Sequence, residues 1–443
     1  MFTDAKGNTY TGVTCDVTQP CTTQAVDPNF RQPYSVQWNL DIQRAITNNL
    51  TLDLAYVGVH GVHEATWSDI NQSALGAGWT PAAVSACLAS ASDAAPYDNC
   101  ASDTTAEVGP NSSKFPYLNQ IVQLGNQDFS HYNGLQVTVN ERTSHRLSFI
   151  AGYTYSHALD IVFDGGTDGA PYPIDARNVR LSYGNSDFDI RHRFTFSPTY
   201  LIPGMKSPGQ LLQGWSVSGI ITLQGGLPWF PDDGVNDLLG TGEFAGTISA
   251  GVQTWNYSGP RSAFTSGPTA IPCFTSLDPK GNPILPGCTP YVGGLPPAAC
   301  VTTAQAPYAG NAQLMQLAAA SLANLGCYVR GGGVLTPPAF GTVGNASRNI
   351  FRSPKYYNVD LSIAKEWKFK ERLTAQLRVE FFNLFNRADF SIPDSTGSGG
   401  VDPNSGSGGN FGCSCTTADV FGNNPVLGSG GPRHIQFGLK LLF

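Results

Sequence analysis

The chain has 443 residues, of which 13% are charged and 11% aromatic, with a formal net charge of −7. This length allows one long all-β domain, and the acidic balance gives nucleic-acid binding no support. The 50 glycines and 31 prolines indicate many turns in a folded chain, because a disordered chain would hold fewer aromatic residues.

In chain order, nine segments alternate apolar and polar residues with a period of two. This period is typical of a β-strand with one apolar face. The segments begin near residues 33, 50, 132, 147, 187, 215, 356, 373 and 432. The last runs from Pro432 to Phe443 and closes the chain on an aromatic residue. Short helical patterns lie outside the strands, over 80–90 and 311–325.

The connections between these strands alternate in length. Short turns are expected near 47–49, 143–145, 203–212 and 370–371, and long segments over 1–31, 62–129, 160–186, 227–353 and 388–431. Short turns on one side and long loops on the other are the layout of a bacterial outer-membrane β-barrel. A Greek-key sandwich would scatter its long connections over both ends. We therefore predict an all-β chain of about nine antiparallel strands in a transmembrane barrel, with long extracellular loops that contain disulfides.

Ten cysteines lie in the long segments and none lies in a predicted strand. Their even number indicates an oxidising compartment. Local pairing would join Cys15 to Cys21, Cys87 to Cys100, Cys273 to Cys288 and Cys300 to Cys327, although four cysteines in one loop allow three connectivities. Cys413 and Cys415 are separated by one residue, which strains a direct disulfide.

The start of the chain and the strand count favour a part of a larger barrel. The segment MFTDAKGNTYTG has no basic region followed by an apolar one, as a signal peptide would, although the cysteines indicate export. Conventional bacterial barrels use an even number of strands, and nine is odd. We therefore expect residues 1–443 to be the carboxy-terminal strands of a larger barrel, with the signal peptide absent here.

Four stretches resemble the barrel of TonB-dependent outer-membrane receptors, especially the Oar-like group. They are DPNFRQPYSVQWNL at 27–40, NSDFDIRHRF at 185–194, GWSVSG at 214–219 and RVEFFNLFN at 378–386. The resemblance implies a 22-stranded barrel with a plug, and contact with TonB only through that missing plug. It also implies that Phe443 is the signal read by the barrel-assembly machinery.

Charged residues cluster around the fifth predicted strand. We expect Asp187, Asp189, Arg191 and Arg193, together with Arg378 and Glu380, to form an ion network facing the lumen, because buried charges must be paired. Strand aromatics are expected to form an interfacial girdle. They are Tyr34, Trp38, Tyr56, Tyr153, Tyr155, Tyr200, Trp215, Tyr357 and Trp367.

Other motifs give weak support for chemistry. His60 and His63, like Cys413 and Cys415, are a pair of metal-ligating residue types, but no further ligand motif completes either pair. No glycine-rich phosphate loop opens a helix. We predict no catalytic residue, no cofactor and no metal site.

The expected function is that of a barrel segment in an outer-membrane receptor, in contact with membrane lipid, which binds an unknown extracellular ligand and imports it. The alternative is a surface adhesion or interaction protein without import. A secreted all-β enzyme is the third reading, and the lipid-facing residues argue against it.

Overall fold

The computed structural model describes residues 2–3, 9–10, 15–17, 20–90, 100–161, 172–234, 236–243, 253–278, 280–369, 373–393, 400–403, 410–418 and 430–442. Nine long strands form one sheet, called the wall below. They are β1 (Tyr34–Ala45), β2 (Leu50–Asp69), β3 (Leu118–Ser144), β4 (Leu147–Asp160), β5 (His192–Leu201), β6 (Trp215–Gln224), β7 (Tyr356–Phe369), β8 (Leu373–Phe382) and β9 (His434–Leu442).

The wall strands follow each other in chain order, and every neighbouring pair is antiparallel. The predicted fold class is confirmed, with all nine strands in place. In the described part of the chain, β1 pairs with β2 alone and β9 pairs with β8 alone. The turn expected at 370–371 and the terminal Phe443 lie outside the described residues.

Cross-strand register separates the two faces of the wall, since directly paired residues point to the same side. One register row across β1–β7 is almost wholly apolar: Ile42, Leu54, Val137, Tyr153, Phe194, Leu223 and Tyr357. The adjacent row is polar apart from one glycine: Gln43, Asp53, Thr138, Gly152, Thr195, Thr222 and Asn358. Side chains on the apolar face are open to the surroundings; Phe437, for example, is 72% exposed. The nine expected girdle aromatics all lie on this apolar face by register.

Strands β2 and β3 are longer than predicted. They span 20 and 27 residues, whereas about 9–11 residues cross the hydrocarbon of a membrane. The prediction that 62–129 is a loop is therefore wrong at both ends. Its polar residues are compatible with a strand because this part of the hairpin stands beyond the membrane. Register shifts next to Glu64 bend the hairpin, and the short strand Cys21–Val26 pairs in parallel with β3.

The long connections fold together into a second body, called the loop domain. It comprises the described parts of 70–117, 172–191, 225–355 and 383–433. Three helices lie in it, α1 (Pro81–Ser90), α2 (Ala298–Gln305) and α3 (Ala312–Leu325). Asn311 caps α3 by accepting a hydrogen bond from the Leu314 N–H at 3.1 Å. Both predicted helical patterns, over 80–90 and 311–325, are confirmed.

Small sheets and short helices complete the loop domain. One sheet contains Asn256–Ser258, Gly333–Thr336, Cys327–Arg330, Cys273–Thr275 and Thr289–Pro290, and another contains Phe351–Arg352, Pro228–Pro231 and Gly400–Val401. Among the described residues, the 3₁₀ helices of the loop domain are Val179–Ser182, Arg261–Phe264, Val292–Gly294 and Ala306–Tyr308, and Pro208–Gln210 forms another in the turn between β5 and β6. Gly184–Asn185 pairs with the end of β4, and Phe2–Thr3 pairs with Thr9–Tyr10.

The hydrophobic core lies in the loop domain. Trp79, Ile174, Trp255 and Phe411 belong to one buried cluster, and each comes from a different long connection. Such side chains stabilise a fold by about 1.5–3 kcal/mol each when fully buried. The four connections therefore fold as one unit, although the sequence presents them as separate loops. No helix in the described ranges is long and apolar enough to cross a membrane.

Five disulfides join the cysteines in the local manner. The pairs are Cys15–Cys21, Cys87–Cys100, Cys273–Cys288, Cys300–Cys327 and Cys413–Cys415. Of the three connectivities open to the β6–β7 connection, the structure contains the sequential one, in which each cysteine pairs with its neighbour along the chain. Cys413 and Cys415 also pair, since their Cα atoms lie 5.2 Å apart, within the usual range for a disulfide.

Candidate ligand-binding loops and their junction with the wall

The structure divides the predicted charge network into two groups. Arg193, Arg378 and Glu380 lie on the polar face of the wall by register. The Nε atom of Arg378 is 3.5 Å from Oε1 of Glu380, and both line a shallow depression of about 310 Å³ that also includes Asp360. Arg193 is exposed and takes part in neither group of ion pairs.

Asp187, Asp189 and Arg191 form the other group, and they precede β5 instead of lying on it. The strand begins at His192, later than predicted. The reason is a turn in which the Asp189 N–H donates to the Ser186 carbonyl at 3.0 Å. These three residues belong to the loop side, so the sequence prediction of one lumen-facing network does not describe their position.

Asp189 is fully buried and neutralised by two arginines. Its carboxylate accepts hydrogen bonds from Nε of Arg191 at 2.8 Å, from Arg352 and from the Ala158 N–H at 2.8 Å. These contacts join the end of β4, the turn before β5 and the segment that leads into β7. Charge-assisted hydrogen bonds of this kind are short and strong, so they hold the donors in place around Asp189.

Arg348 provides a second buried link at the same place. Its side chain is 2% exposed, pairs with Asp160, and has Nη1 3.6 Å from Oδ2 of Asp187. Asn349 also donates to Asp187, at 2.5 Å. Burial lowers the pKa of Arg348 to about 10, so the side chain stays charged at neutral pH. We name the set Asp160, Asp187, Asp189, Arg191, Arg348 and Arg352 the junction network.

Asp128 of β3 faces the junction network from a strand that has left the membrane. Its side chain is nearly fully buried, and the Phe129 N–H donates to Oδ1 at 2.6 Å. Burial, followed by the nearby charge of Glu64, raises the pKa of Asp128 to about 7. Arg348 acts in the opposite direction, because its positive charge favours the ionised carboxylate.

Sequence reasoning missed Arg348, Arg352, Asp160 and Asp128. A usable signal existed, since Arg348 and Arg352 are the only charged residues in the stretch 331–353. Two isolated charges in an apolar and glycine-rich segment are expected to be paired when they are buried. Their partners are far away in the chain, and no local pattern identifies them.

The histidines considered as metal ligands have ordinary partners. The His60 ring stacks on His131 with the ring centroids 4.1 Å apart, and its Nδ1 lies 2.9 Å from the Ser130 carbonyl oxygen. His63 meets the Tyr34 ring edge-on. Within the described ranges, no group of three or more His, Cys, Asp or Glu side chains is arranged to hold a metal ion.

A family model fits this architecture along nearly the whole chain. The model of the outer membrane beta barrel domain matches residues 3–436. The chain belongs to this family. It is accordingly a protein of the bacterial outer membrane, with the apolar face of its wall towards lipid, and its long connections are extracellular while its short turns face the periplasm.

Solved structures similar to this barrel domain are outer-membrane receptors and transporters. The ferripyoverdine receptor of Pseudomonas aeruginosa is 10% identical, with a TM-score of 0.33 over 93% of this chain and 27% of the receptor. The Escherichia coli ferric-catecholate import receptor Fiu is 9% identical, with a TM-score of 0.33 over 99% of this chain and 30% of Fiu. The outer-membrane transporter YddB of Escherichia coli is 8% identical, with a TM-score of 0.34 over 83% of this chain and 31% of YddB.

The chain thus spans less than a third of the length of these structures. None of the curated proteins matches it.

Proposed function

We propose that this barrel domain is part of the wall of a TonB-dependent receptor of the Oar-like group, and that its loop domain captures an extracellular ligand for import. The observation that carries the proposal is the single core shared by four extracellular connections. Loops that only joined strands would need no common core, whereas a binding surface needs one to be held in shape before the ligand arrives. The sequence stretches that resemble this receptor class support the same assignment.

The junction network supports a role in import over simple display. It holds the loop domain to the end of β4 through buried ion pairs and a hydrogen bond, so a change at the loops can reach the wall. Arg193, Arg378 and Glu380, on the polar face, are proposed to line the lumen and to meet the plug. In this proposal residues 1–443 supply part of the wall, while the plug and the TonB contact belong to the full-length protein.

Two further partners follow from the same proposal. Membrane lipid covers the apolar face, and the barrel-assembly machinery recognises the closing strand through Phe443. No catalytic step is assigned to the chain, in keeping with a family of outer-membrane barrels.

The second candidate function is surface adhesion without import. The large and disulfide-bonded loop domain is the observation that favours it, because a rigid extracellular body also suits contact with a surface.

Uptake and attachment separate the two functions. Cells with the intact full-length protein are compared with cells in which residues 228–352 are replaced by a short Gly/Ser turn. Both kinds of cell are incubated in spent medium whose solutes carry an isotope label, with and without a protonophore, and the label taken up by the cells is measured. Import predicts uptake that is lost with either the replacement or the protonophore. Attachment that is lost with the replacement but unchanged by the protonophore, with uptake unaffected, would establish adhesion instead.

A further inference from the structure

A polar cavity of about 320 Å³ lies in the loop domain, away from the junction network. The ends of β2 and β3 form one side of it through Asp69 and Gln120, and residues 241–243 of the β6–β7 connection form another. Its volume is at the lower end of the range of about 300–1,000 Å³ for small-ligand sites. The cavity lies on the extracellular side, where a ligand would first meet the protein.

The ionisable side chains that line the cavity among the described residues are all carboxyls, namely Asp69, Glu107 and Glu243. Asp69 and Glu243 are nearly fully buried and hydrogen-bond each other. Glu107 hydrogen-bonds the carboxyl group of Asp237. Two carboxyl groups in contact cannot both be ionised at low cost, so each pair holds a proton or needs a cation beside it.

Burial is the first cause that makes these groups reluctant to ionise. It raises the pKa of Asp69, against hydrogen bonds from the Asn71 N–H at 2.8 Å and the Ile121 N–H at 2.9 Å. Burial also raises the pKa of Glu107 to about 7, with Asp237 and Asp103 as further causes and Ser102 opposing them. Arg177 donates to the backbone carbonyl of Ser73, which lines the cavity, and its own charge is paired with Asp175 at 3.0 Å.

Unsatisfied acceptors at the cavity form a second and independent observation. Thr241 lines the cavity and is 6% exposed, and its Oγ1 has no hydrogen-bond partner in the described structure. Oε1 of Glu107 is buried without a partner as well. A buried polar atom that has lost its water and found no partner is energetically unfavourable. A ligand that donates hydrogen bonds would recover this free energy.

The cavity is also shaped in advance. Gly242 has φ +76°, and a Cβ atom at this position would lie 2.6 Å from Oε2 of Glu107. On the opposite side, a Cβ at Gly109 would lie 1.8 Å from the Asn71 carbonyl oxygen. The glycines let the backbone approach the carboxyl and amide groups closely, so little ordering is required when a ligand binds.

We propose that this cavity binds a small organic cation, with its ammonium or guanidinium group placed among Asp69, Glu107 and Glu243. This inference rests on the proposed function of the loop domain as a ligand-capturing body. Binding releases protons from the carboxyl pairs, and the N–H groups of the ligand donate to the unsatisfied oxygens. An anionic ligand is disfavoured because it would meet carboxyl groups and no lining arginine or lysine.

The test uses purified full-length protein and a matched set of probes in equilibrium dialysis. Putrescine and 1,4-butanediol share one carbon chain and differ in their ammonium and hydroxyl ends, and succinate carries the opposite charge. Saturable binding is expected for putrescine alone, and it should strengthen from pH 6 to pH 8 as Glu107 loses its proton. Equal binding of butanediol, binding of succinate, or no binding of putrescine would each overturn the proposal. So would Ca²⁺ that displaces putrescine and binds more tightly.

Isosteric variants locate the site. Glu107→Gln and Glu243→Gln should each weaken putrescine binding by about ten-fold or more, since each removes a charged hydrogen bond. Asp278→Asn changes a partly exposed carboxyl group that does not line the cavity and should leave binding unchanged. Heat-modifiable mobility and hydrogen exchange verify that each variant is folded. Binding that is equally strong in folded Glu107→Gln and Glu243→Gln would refute the site.

The failure of this inference can be told from failure of the proposed function. If putrescine binds but labelled putrescine shows no protonophore-sensitive uptake, the cavity proposal stands and the proposed import function is refuted. Conversely, protonophore-sensitive uptake from labelled medium that persists unchanged in both Glu107→Gln and Glu243→Gln would retain import and show that the cavity is not its ligand site.

Discussion

Replacement of Arg348 by methionine should release the loop domain from the wall. Methionine keeps most of the side-chain length but leaves Asp160 and Asp187 without their buried cation. Removal of one partner from a buried ion pair typically costs about 3–5 kcal/mol, because the remaining charge stays desolvated. At about 1.4 kcal/mol per factor of ten, the opening equilibrium of the junction should rise by about two to nearly four orders of magnitude.

Hydrogen exchange measures this opening directly. Amides of the junction, such as those of Ala158 and Asp189, are hydrogen-bonded and exchange only when it opens. Their exchange in Arg348→Met should accelerate by the factor given above. The acceleration should be smaller at pH 5 than at pH 8, because the abandoned carboxylates can then take up protons.

Arg193→Met serves as the matched control. Arg193 is exposed and lies outside the junction network, so its loss should change the opening free energy by no more than about 0.5 kcal/mol. If junction amides in folded Arg348→Met exchanged as slowly as in the parent protein, the proposed coupling of loop domain and wall through buried charge would be refuted.

Three further predictions concern pH, disulfides and the membrane face. The pKa of Asp128 is raised to about 7 in the folded junction, whereas the unfolded chain releases this proton near the ordinary pKa of 3.8. The free energy of opening the junction should therefore fall as pH rises from about 4 to about 7. Asp128→Asn should remove this pH dependence, as measured by hydrogen exchange. Replacing both Cys300 and Cys327 by serine should destabilise the loop domain by about 2–5 kcal/mol, seen as faster proteolysis of the loops while the wall keeps its heat-modifiable mobility. Leu54→Arg should reduce folding into lipid vesicles by up to about 4 kcal/mol, and Thr195→Arg, on the polar face, by far less; equal losses would contradict the assignment of faces.

The strands were predictable because their signal is repeated at every second residue. Ile42 and Gln43 alternate in the sequence and lie in an apolar and a polar row of the wall. Register follows from the same alternation, since a slip by one residue would turn every apolar side chain to the wrong face. The helix near 311–325 was also predictable, because its Asn cap and apolar spacing are local.

The extent of β2 and β3 was harder to predict. Beyond Val62 the strands carry polar residues on both faces, so their composition is that of a loop although their backbone pairs as a sheet. The position of the charged residues before β5 was hard to predict for a related reason. Asp187 and Asp189 sit next to a strand in sequence, yet a turn stabilised by hydrogen bonds takes them to the junction.

By itself, the sequence determined the nine strands, their faces and the side on which the long connections lie, because each of these depends on neighbouring residues. Only the tertiary structure decided that the connections share one core, that Arg348 meets Asp160 and Asp187, and that Asp69, Glu107 and Glu243 surround one cavity. The physical reason is distance along the chain. These contacts join residues that are far apart in the sequence, and aperiodic loops carry no local pattern that identifies the partner of a buried charge.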